Sequence, residues 1–335
     1  MKYIFELSKE HISLPKAEII ARLEAENISY KIIELNEDTL IIETNTDKIR
    51  IESLANRLSY TYNISEFLFS CKPTIKQIKK IANKYSIIKK GTIAIKYKNR
   101  SKSVNSQKIV KTLADIYTKN RNVILNNPDI EVRALITDNL IYLGIKVAQI
   151  NRSQYEQRKV QNRPFFSPIS LHPKLARAIV NLSSIKRGGK LLDPFCGTGG
   201  ILIEAGLIGA KIIGCDIEEK MIVGCKKNLE YYKIKNYQLF QTDIGNIRSY
   251  IKKVDAVVTD LPYGRSTTTK GEKMETLYDR TFFSLSKILN KKKRAVIGLS
   301  DKNFLKIGEK YLSLIETHEI RAHGSLTRYF GIYKK

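Results

Sequence analysis

An acid, a proline and an aromatic residue follow directly on a short apolar run in this chain. The run at residues 254–259 is rich in branched residues and leads into Asp260, Leu261, Pro262 and Tyr263. Such a run predicts a buried strand, and in open α/β sheets ligands bind beyond the carboxyl ends of the strands. We therefore expect these four residues to face a ligand crevice.

These residue types suit a reaction at the exocyclic amine of a nucleobase. Such an amine is a poor nucleophile because its lone pair is delocalised into the ring, so a catalyst must accept its N–H hydrogens and hold it in line with an electrophile. The Asp260 carboxylate is one acceptor. Pro262 leaves the Leu261 carbonyl free as a second acceptor, and the Tyr263 ring can stack on a flat base. A strand-terminating turn with an exposed acid is the alternative interpretation.

A glycine-rich turn follows an earlier apolar run, in the sequence Leu-Leu-Asp-Pro-Phe-Cys-Gly-Thr-Gly-Gly at residues 191–200. The residue three after Gly199 is Leu202, so the G-x-G-x-x-G pattern of dinucleotide sites is missing, as is the lysine pair of a P-loop. Asp193 at the strand end would repel phosphate, but it suits the ammonium and sulfonium groups of S-adenosylmethionine. The expected contacts of this cofactor in the turn are Asp193, Cys196, Gly197, Thr198 and Gly199.

Two further predicted strands also end on acids. Residues 210–215 precede Asp216, and an acid at the tip of the second strand of such a unit hydrogen-bonds the ribose hydroxyls. Residues 238–242 precede Asp243, which is placed to accept from an adenine amine. Each acid alone is typical of a helix cap or a turn, but four in register beside the glycine-rich turn favour a methyltransferase site. The cofactor contacts expected at these strand ends are Asp216, Ile217, Asp243, Ile244 and Asp260.

Three segments of the chain resemble the archaeal-type tRNA (guanine(10)-N2)-dimethyltransferases. They are D-P-F-C-G-T-G-G at 193–200, T-D-L-P-Y-G-R-S at 259–266 and R-A-H-G-S-L-T-R at 321–328. The resemblance spans most of the chain and is sharp from about residue 162 onward. It implies a THUMP RNA-binding region joined to a Rossmann-like, class I methyltransferase domain, with S-adenosylmethionine as cofactor and tRNA as partner.

The resemblance also implies roles for single residues. Asp260 corresponds to the acceptor of the guanine amine and Tyr263 to the stacking ring. The family's [D/N]-P-P-Y motif appears here with Leu261 at its first proline, a change that keeps the backbone carbonyl. Positions that match the family's cofactor site are Asp193, Gly197, Gly199, Asp216 and Asp243.

Composition points to a polyanionic partner. The chain holds 59 Lys and Arg against 33 Asp and Glu, a formal net charge of +26. Contacts from Lys and Arg to phosphate dominate nucleic-acid affinity, although a lysine-rich composition can also reflect A-rich coding. A basic run that could contact an RNA backbone, or form only a solvated strand edge, comprises Lys96, Lys98, Arg100 and Lys102.

Cysteine and histidine usage predicts no metal site. The four cysteines show neither paired metal spacing nor a disulfide framework, which agrees with a reduced compartment, and the four histidines are scattered. The N-terminus lacks the apolar core of a signal peptide, and no uncharged apolar run approaches the ~18 residues of a membrane span. We expect a soluble, cytoplasmic protein without a membrane or metal, and favour a monomer.

The order of the predicted elements indicates an α/β chain with four parts. These are an α+β domain at 1–70, a THUMP-like RNA-binding domain at 71–150, a polar linker at 151–170 and the methyltransferase domain at 171–335. The expected activity is methyl transfer to the N2 amine of a tRNA guanine, and the resemblance implies guanosine 10. Alternatives are another tRNA or rRNA guanine, adenine N6 in DNA, and a non-catalytic tRNA-binding module, which Asp260 and the glycine-rich turn disfavour.

Overall fold

A computed structural model describes residues 1–167, 170–263, 272–323 and 326–335, with all side chains in these ranges except those of 322, 323 and 326. The apolar spacing from Leu171 to Leu182 predicts a helix introduced by Pro168, and this proline lies outside the described residues. So do residues 264–266 of the second motif and 324–325 of the third.

Strands and helices alternate along most of the chain. The strands are β1 (Lys2–Leu7), β2 (Lys31–Leu35), β3 (Thr39–Glu43), β4 (Thr61–Cys71), β5 (Ile93–Asn99), β6 (Ile130–Ile136), β7 (Ile141–Gln149), β8 (Lys190–Asp193), β9 (Lys211–Asp216), β10 (Tyr237–Gln241), β11 (Val254–Asp260), β12 (Leu289–Leu299), β13 (Ser313–His323) and β14 (Leu326–Lys334). The helices are α1 (Leu14–Ala25), α2 (Lys48–Leu54), α3 (Ile75–Ala82), α4 (Ser106–Tyr117), α5 (Ser153–Gln157), α6 (Pro173–Leu182), α7 (Gly200–Leu207), α8 (Glu219–Tyr231), α9 (Ile247–Tyr250), α10 (Met274–Ile288) and α11 (Leu305–Glu309).

The chain forms two compact units. Unit 1 consists of Met1–Lys9, Ile28–Asn56 and Thr61–Asn151. Unit 2 consists of Glu10–Asn27, Arg57–Tyr60 and Arg152–Lys335. The chain therefore passes from one unit to the other at five points along its length.

Unit 1 is built on one sheet with the strand order β2-β3-β1-β4-β7-β6-β5. Neighbouring strands are antiparallel except β5 and β6, which run parallel. The strands expected in two domains, at 1–70 and 71–150, thus share a sheet, and the expected boundary at residue 70 falls inside β4. Apolar periodicity locates strands but does not reveal which strands pair, so the sequence could not show this continuity.

Helices α3 and α4 pack against each other over this sheet, as their apolar spacing predicts. Their buried positions join one apolar cluster with the sheet, and they are Ile78, Ala82, Ile109, Leu113 and Tyr117. The remaining faces of the two helices are exposed and carry mostly lysine.

Unit 2 has the sheet order β10-β9-β8-β11-β12-β14-β13. Strands β8 to β12 run parallel to one another, and β14 lies antiparallel between β12 and β13. This arrangement confirms the expected Rossmann-like α/β fold. The chain order reverses between β8 and β11, and ligands bind in the crevice that such a reversal leaves at the carboxyl ends of the strands.

Alternate residues of the central strands pack on opposite faces of the unit 2 sheet. Leu191 and Val258 join a cluster with α1, α6, α7 and α8, whereas Leu192 and Val257 join a cluster with α10. Successive side chains of a strand point to opposite faces, so both faces of these strands must be apolar. The near-continuous apolar runs seen in the sequence follow from this double burial.

The polar stretch expected to be a linker belongs to unit 2 from Arg152 onward, where it is described. Tyr155 is fully buried, and Arg158 and Arg163 are also buried. Arg158 donates to the buried Glu204 carboxylate, with its Nε 2.7 Å from Oε1. Buried ion pairs make a segment look polar without making it mobile, which explains why the sequence favoured a linker.

No helix in the described part of the chain is long and apolar enough to cross a membrane.

Candidate active site

A cavity of about 430 Å³ lies beyond the carboxyl ends of β8, β9, β10 and β11. It occupies the point where the strand order reverses. Gly199 is the one predicted catalytic or cofactor residue that does not line it. The predicted residues that do are Asp193, Cys196, Gly197, Thr198, Asp216, Ile217, Asp243, Ile244, Asp260, Leu261, Pro262 and Tyr263.

The glycine-rich turn needs its glycines for two different reasons. Gly197 and Gly199 have φ angles of +50° and +82°, in the left-handed region that side chains rarely adopt. A Cβ on Gly199 would also lie 2.6 Å from the Cys225 sulfur. Gly199 therefore allows the turn to adopt its backbone conformation and to pack against α8, although it does not itself line the cavity.

Asp216 joins the glycine-rich turn to the start of α8. Its Oδ2 accepts from the Gly197 N–H at 2.9 Å, and its Oδ1 accepts from the Glu218 N–H at 3.0 Å. Burial raises the pKa of this carboxyl. The side chain is thus fixed at the tip of β9, where a ribose acceptor was expected.

Asp193 is buried at the end of β8. Its Oδ1 accepts from the Thr259 hydroxyl at 2.7 Å and from the Phe195 N–H at 3.2 Å. Burial raises the pKa of Asp193 to about 7, and the nearby Asp216 and Asp260 carboxyls add to the shift. This residue is held as a desolvated acid at the floor of the cavity.

Asp260 meets two partners at the end of β11. Its Oδ1 accepts from the Tyr263 hydroxyl, and its Oδ2 accepts from Arg328 Nε at 3.1 Å. Burial raises the pKa of Asp260 to about 7, against the opposing charge of Arg328. Sequence reasoning missed Arg328 as a site residue, although it is the last residue of the third family-like segment.

The turn after Asp260 is held by the backbone. The Leu261 N–H donates to the Gly298 carbonyl at 3.0 Å, and the Tyr278 hydroxyl donates to the Pro262 carbonyl at 2.7 Å. Leu261 is buried in the apolar cluster on the α10 face. A proline at this position would have no N–H to donate, so the leucine adds a hydrogen bond that the family's usual residue lacks.

Gly298 of β12 makes room for the Asp260 carboxylate. A Cβ at this position would lie 2.3 Å from Asp260 Oδ1 and 2.8 Å from the Phe330 ring. This need for glycine at position 298 could not be predicted from the sequence, because the close approach depends on the pairing of β11 with β12.

Asp243 is held in an ion pair that the sequence did not predict. Arg280 of α10 donates to both of its carboxylate oxygens and also to Glu272. The bond from Arg280 lowers the pKa of Asp243. The expected role of Asp243 as an adenine acceptor stays a prediction. In that role its carboxylate would accept from the adenine amine and from Arg280 at the same time.

The predicted RNA-binding run lies in unit 1 and is only partly available. Lys96 pairs with Glu131 at 3.2 Å. Arg100 pairs with Asp38 at 2.7 Å and is largely buried. Lys98 and Lys102 are exposed.

All four cysteines are buried and free. Among the described residues, no group of three or more His, Cys, Asp or Glu side chains is arranged to hold a metal ion.

Two family models match the chain. Residues 161–329 match an RMKL-like methyltransferase domain, and residues 27–227 match a DNA methylase. The second match ends before Asp260 and therefore does not include the acid-proline-aromatic turn.

Solved structures share the fold at low sequence identity. TrmN from Thermus thermophilus is similar over 100% of both chains, with a TM-score of 0.59 and 15% identity. A possible methylase from Clostridium difficile is similar over 99% of this chain and 97% of its own, with a TM-score of 0.58 and 17% identity. Together with the sheet order, these likenesses confirm the expected class I methyltransferase fold.

Curated relatives match along the full length. The tRNA (guanine(10)-N2)-dimethyltransferase of Methanothermobacter thermautotrophicus is 33% identical over 100% of both chains. The enzymes of the same name from Methanocaldococcus jannaschii and Pyrococcus abyssi are 31% and 34% identical, over 99% and 95% of both chains. A likeness of this extent, joined to a cavity lined by the expected acids, places the chain in the tRNA (guanine(10)-N2)-dimethyltransferase family.

Proposed function

We propose that this protein transfers methyl groups from S-adenosylmethionine to the N2 amine of a guanosine in tRNA, at position 10. The products are N2-methylguanosine and N2,N2-dimethylguanosine. The observation that carries the proposal is the Asp260 carboxylate, which lines the cavity at the reversal of the strand order with Tyr263 beside it. The names of the full-length relatives support the choice of nucleotide.

The cavity lining fits the proposed cofactor. Asp193, Asp216 and Asp260 bring three carboxyl groups to its wall, a lining that repels phosphate and suits a ligand with a sulfonium and an ammonium group. Asp216 would hold the ribose hydroxyls, and Asp193 and the glycine-rich turn would hold the amino-acid end. The bound cofactor would supply an activated methyl group.

The residues of the acid-proline-aromatic turn would then act on the base. Asp260 accepts one N2 hydrogen and the Leu261 carbonyl accepts the other, which turns the nitrogen lone pair toward the cavity. Tyr263 stacks on the guanine, which has left its own stack in the RNA to reach this depth. A carboxyl whose pKa is near 7 is also suited to receive the proton that the amine loses when its new N–C bond forms.

The first prediction tests this role of Asp260. Asp260→Asn should lower turnover by about a hundredfold or more, the scale usual for a positioned acid–base group, and leave S-adenosylmethionine affinity nearly unchanged. The assay uses unmodified tRNA transcripts and maps the modified nucleoside by mass spectrometry. A transcript with adenosine at position 10 is the control and should remain unmethylated. Near-normal turnover of the variant would remove Asp260 from the mechanism. If the wild-type protein methylated adenine in DNA and left the tRNA transcript unmodified, DNA would replace tRNA as the proposed substrate.

For the RNA contact we propose the exposed faces of α3 and α4 in unit 1. Residues 67–114 contain no Asp or Glu, but 12 Lys and one Arg, and α4 carries a single acid, the exposed Asp115 in its last turn. Neither helix has an acid in its first turn, where an acid would be favourable. Lysines four residues apart on α3, such as Lys76 and Lys80, also repel each other. A surface that keeps this repulsion is suited to phosphate, and it replaces the partly neutralised run at 96–102 as the better candidate.

The second prediction concerns this lysine surface. Changing Lys76, Lys79 and Lys80 to Gln should weaken tRNA binding and flatten its salt dependence, with the slope of log K against log salt falling by about two to three. Binding is measured by titration at several salt concentrations. The matched control changes three exposed lysines of unit 2, Lys227, Lys233 and Lys235, and should have a smaller effect. Equal effects of the two triple variants would indicate only a non-specific response to net charge.

A further inference from the structure

Arg328 lies where Asp260 and Tyr263 meet. Its Nε is 3.1 Å from Asp260 Oδ2, and its guanidinium carbon lies over the Tyr263 ring, 5.4 Å from the centroid. Both members of the Arg328–Asp260 pair are largely buried, with 10% and 14% of their side chains exposed. The two residues that the proposed function places on the base thus share one cationic neighbour.

The position of Arg328 follows from the register of β14. Phe330 pairs with Gly298 of β12, and Arg328 lies two residues earlier, so it points to the same face of the sheet. Gly298 leaves the space that the Asp260 carboxylate occupies. The same strand pairing therefore brings the acid and the arginine together from distant parts of the sequence.

We propose that Arg328 is the positioning residue of this site: it keeps Asp260 ionised and oriented to accept hydrogen from the guanine amine, and it covers one face of Tyr263 so that the base stacks on the other. The inference rests on the proposed function of the same site. It assigns Arg328 no contact with the cofactor.

The groups around Asp260 explain why a cation is required. Tyr263 faces it from its own turn, Asp193 from β8, Tyr278 from α10 and Arg328 from β14. Burial favours the protonated form of Asp260, and a protonated carboxyl donates a hydrogen bond where the reaction needs an acceptor. Arg328 is the cationic member of this set, and its charge and hydrogen bond oppose the effect of burial.

Arginine also differs from lysine at such a position. Its guanidinium is planar, so it can donate to a carboxylate and lie over an aromatic ring at the same time. A lysine would keep the charge but lose this geometry. The two functions of Arg328 can therefore be separated by substitution.

The test compares Arg328→Gln, Arg328→Lys and the wild-type protein. Single-turnover methylation is measured from pH 6 to pH 9 with saturating tRNA and S-adenosylmethionine. In Arg328→Gln the loss of the cation should move the acidic limb of the rate profile to higher pH, by about one pH unit or more. Relative to the wild type, the rate of this variant near pH 6.5 should therefore fall about tenfold further than its rate at pH 9. Arg328→Lys should keep the limb near its wild-type position and show a lower plateau.

Two controls exclude a general structural effect. Arg294→Gln removes another arginine–carboxylate pair of unit 2, with Glu24 at 2.7 Å, and should leave the profile unchanged. Cofactor affinity measured across the same pH range reports on Asp193 and should be the same in all four proteins.

The inference is overturned if the limb of Arg328→Gln coincides with that of the wild type, or if Arg328→Lys shifts as far as Arg328→Gln. If Arg328→Gln fails to fold, Arg328→Lys provides the test by itself. A rate profile of Arg328→Lys with both the acidic limb and the plateau of the wild type would contradict the role of Arg328 in holding the Tyr263 ring. A wild-type protein that transfers no methyl group to tRNA would instead refute the proposed function.

Discussion

Two carboxyl groups of the candidate site, those of Asp193 and Asp260, lie where water stabilises their charge poorly. Asp193 and Asp260 both have their pKa raised to about 7 by burial. Asp260 has a cation beside it, whereas Asp193 has hydrogen bonds from a hydroxyl and a backbone N–H. Such groups are retained at functional sites although they oppose folding.

The cost of burying Asp193 depends on pH in a defined direction. Its pKa in the folded protein is about 7, above the ordinary value of 3.8. Below about pH 4 both the folded and the unfolded chain hold the proton, and there is no cost. Between about pH 4 and pH 7 the unfolded chain releases the proton first, so stability falls as the pH rises, and above pH 7 the full cost remains.

We therefore expect Asp193→Asn to raise the unfolding temperature at pH 8 and to change it little near pH 4. The amide oxygen can still accept from Thr259 and Phe195, so the native contacts survive. Thermal unfolding at the two pH values measures the effect, and cofactor affinity should fall in the same variant. Asp279→Asn serves as an exposed control of opposite sign, because the Tyr311 hydroxyl lowers the pKa of Asp279. A gain in unfolding temperature that is equal at both pH values would contradict the assigned cause.

At the scale of single elements, the strand ends were predictable and their partners were not. The four acids at the ends of β8, β9 and β11 and just after β10 were found because a buried strand must be apolar and a functional acid interrupts that run. Arg280 and Arg328 carry no such local signal. Arg280 and Arg328 lie on a helix and a strand that are far in sequence from Asp243 and Asp260, the acids they contact. Which arginine lies beside which acid therefore depends on how the helices and strands pack together.

Helix α1 shows the same limit. Its length and apolar face are predictable, but its partner is not. Its residues are grouped with unit 2, and it packs on α6. Propensity and periodicity describe a helix in isolation, whereas its place in the molecule depends on contacts with residues more than a hundred positions away.

For the whole molecule, the route of the chain matters more than the position of any one boundary. A cut near residue 151 would leave α1 on the wrong piece, because the chain enters unit 2 first at Glu10–Asn27. Glu18 of α1 is fully buried and accepts from the Ser59 and Tyr60 N–H groups, from the Ser59 hydroxyl and from the Asn181 amide. These bonds tie three separate segments of the chain into unit 2.

Glu18→Ala should therefore lower the free energy of unfolding by about 3–5 kcal/mol, because four buried donors lose their acceptor. Urea unfolding measures this change. The matched control is Glu24→Ala on the same helix, where the exposed pair with Arg294 should be worth no more than about 1 kcal/mol. If the two variants unfold at the same urea concentration, α1 is not an integral part of unit 2.

This route also sets an order of events during synthesis on the ribosome. Glu18 and its partner Asn181 are 163 residues apart, so at roughly 5–20 residues per second the nascent α1 waits about ten to thirty seconds for α6 to appear. During that interval its apolar face has no α6 to cover it, while the remaining two segments of unit 1 are being made. An apolar helix face that stays uncovered for this long is a binding site for chaperones, so we expect ribosome-associated chaperones to contact the nascent α1 until α6 has been made.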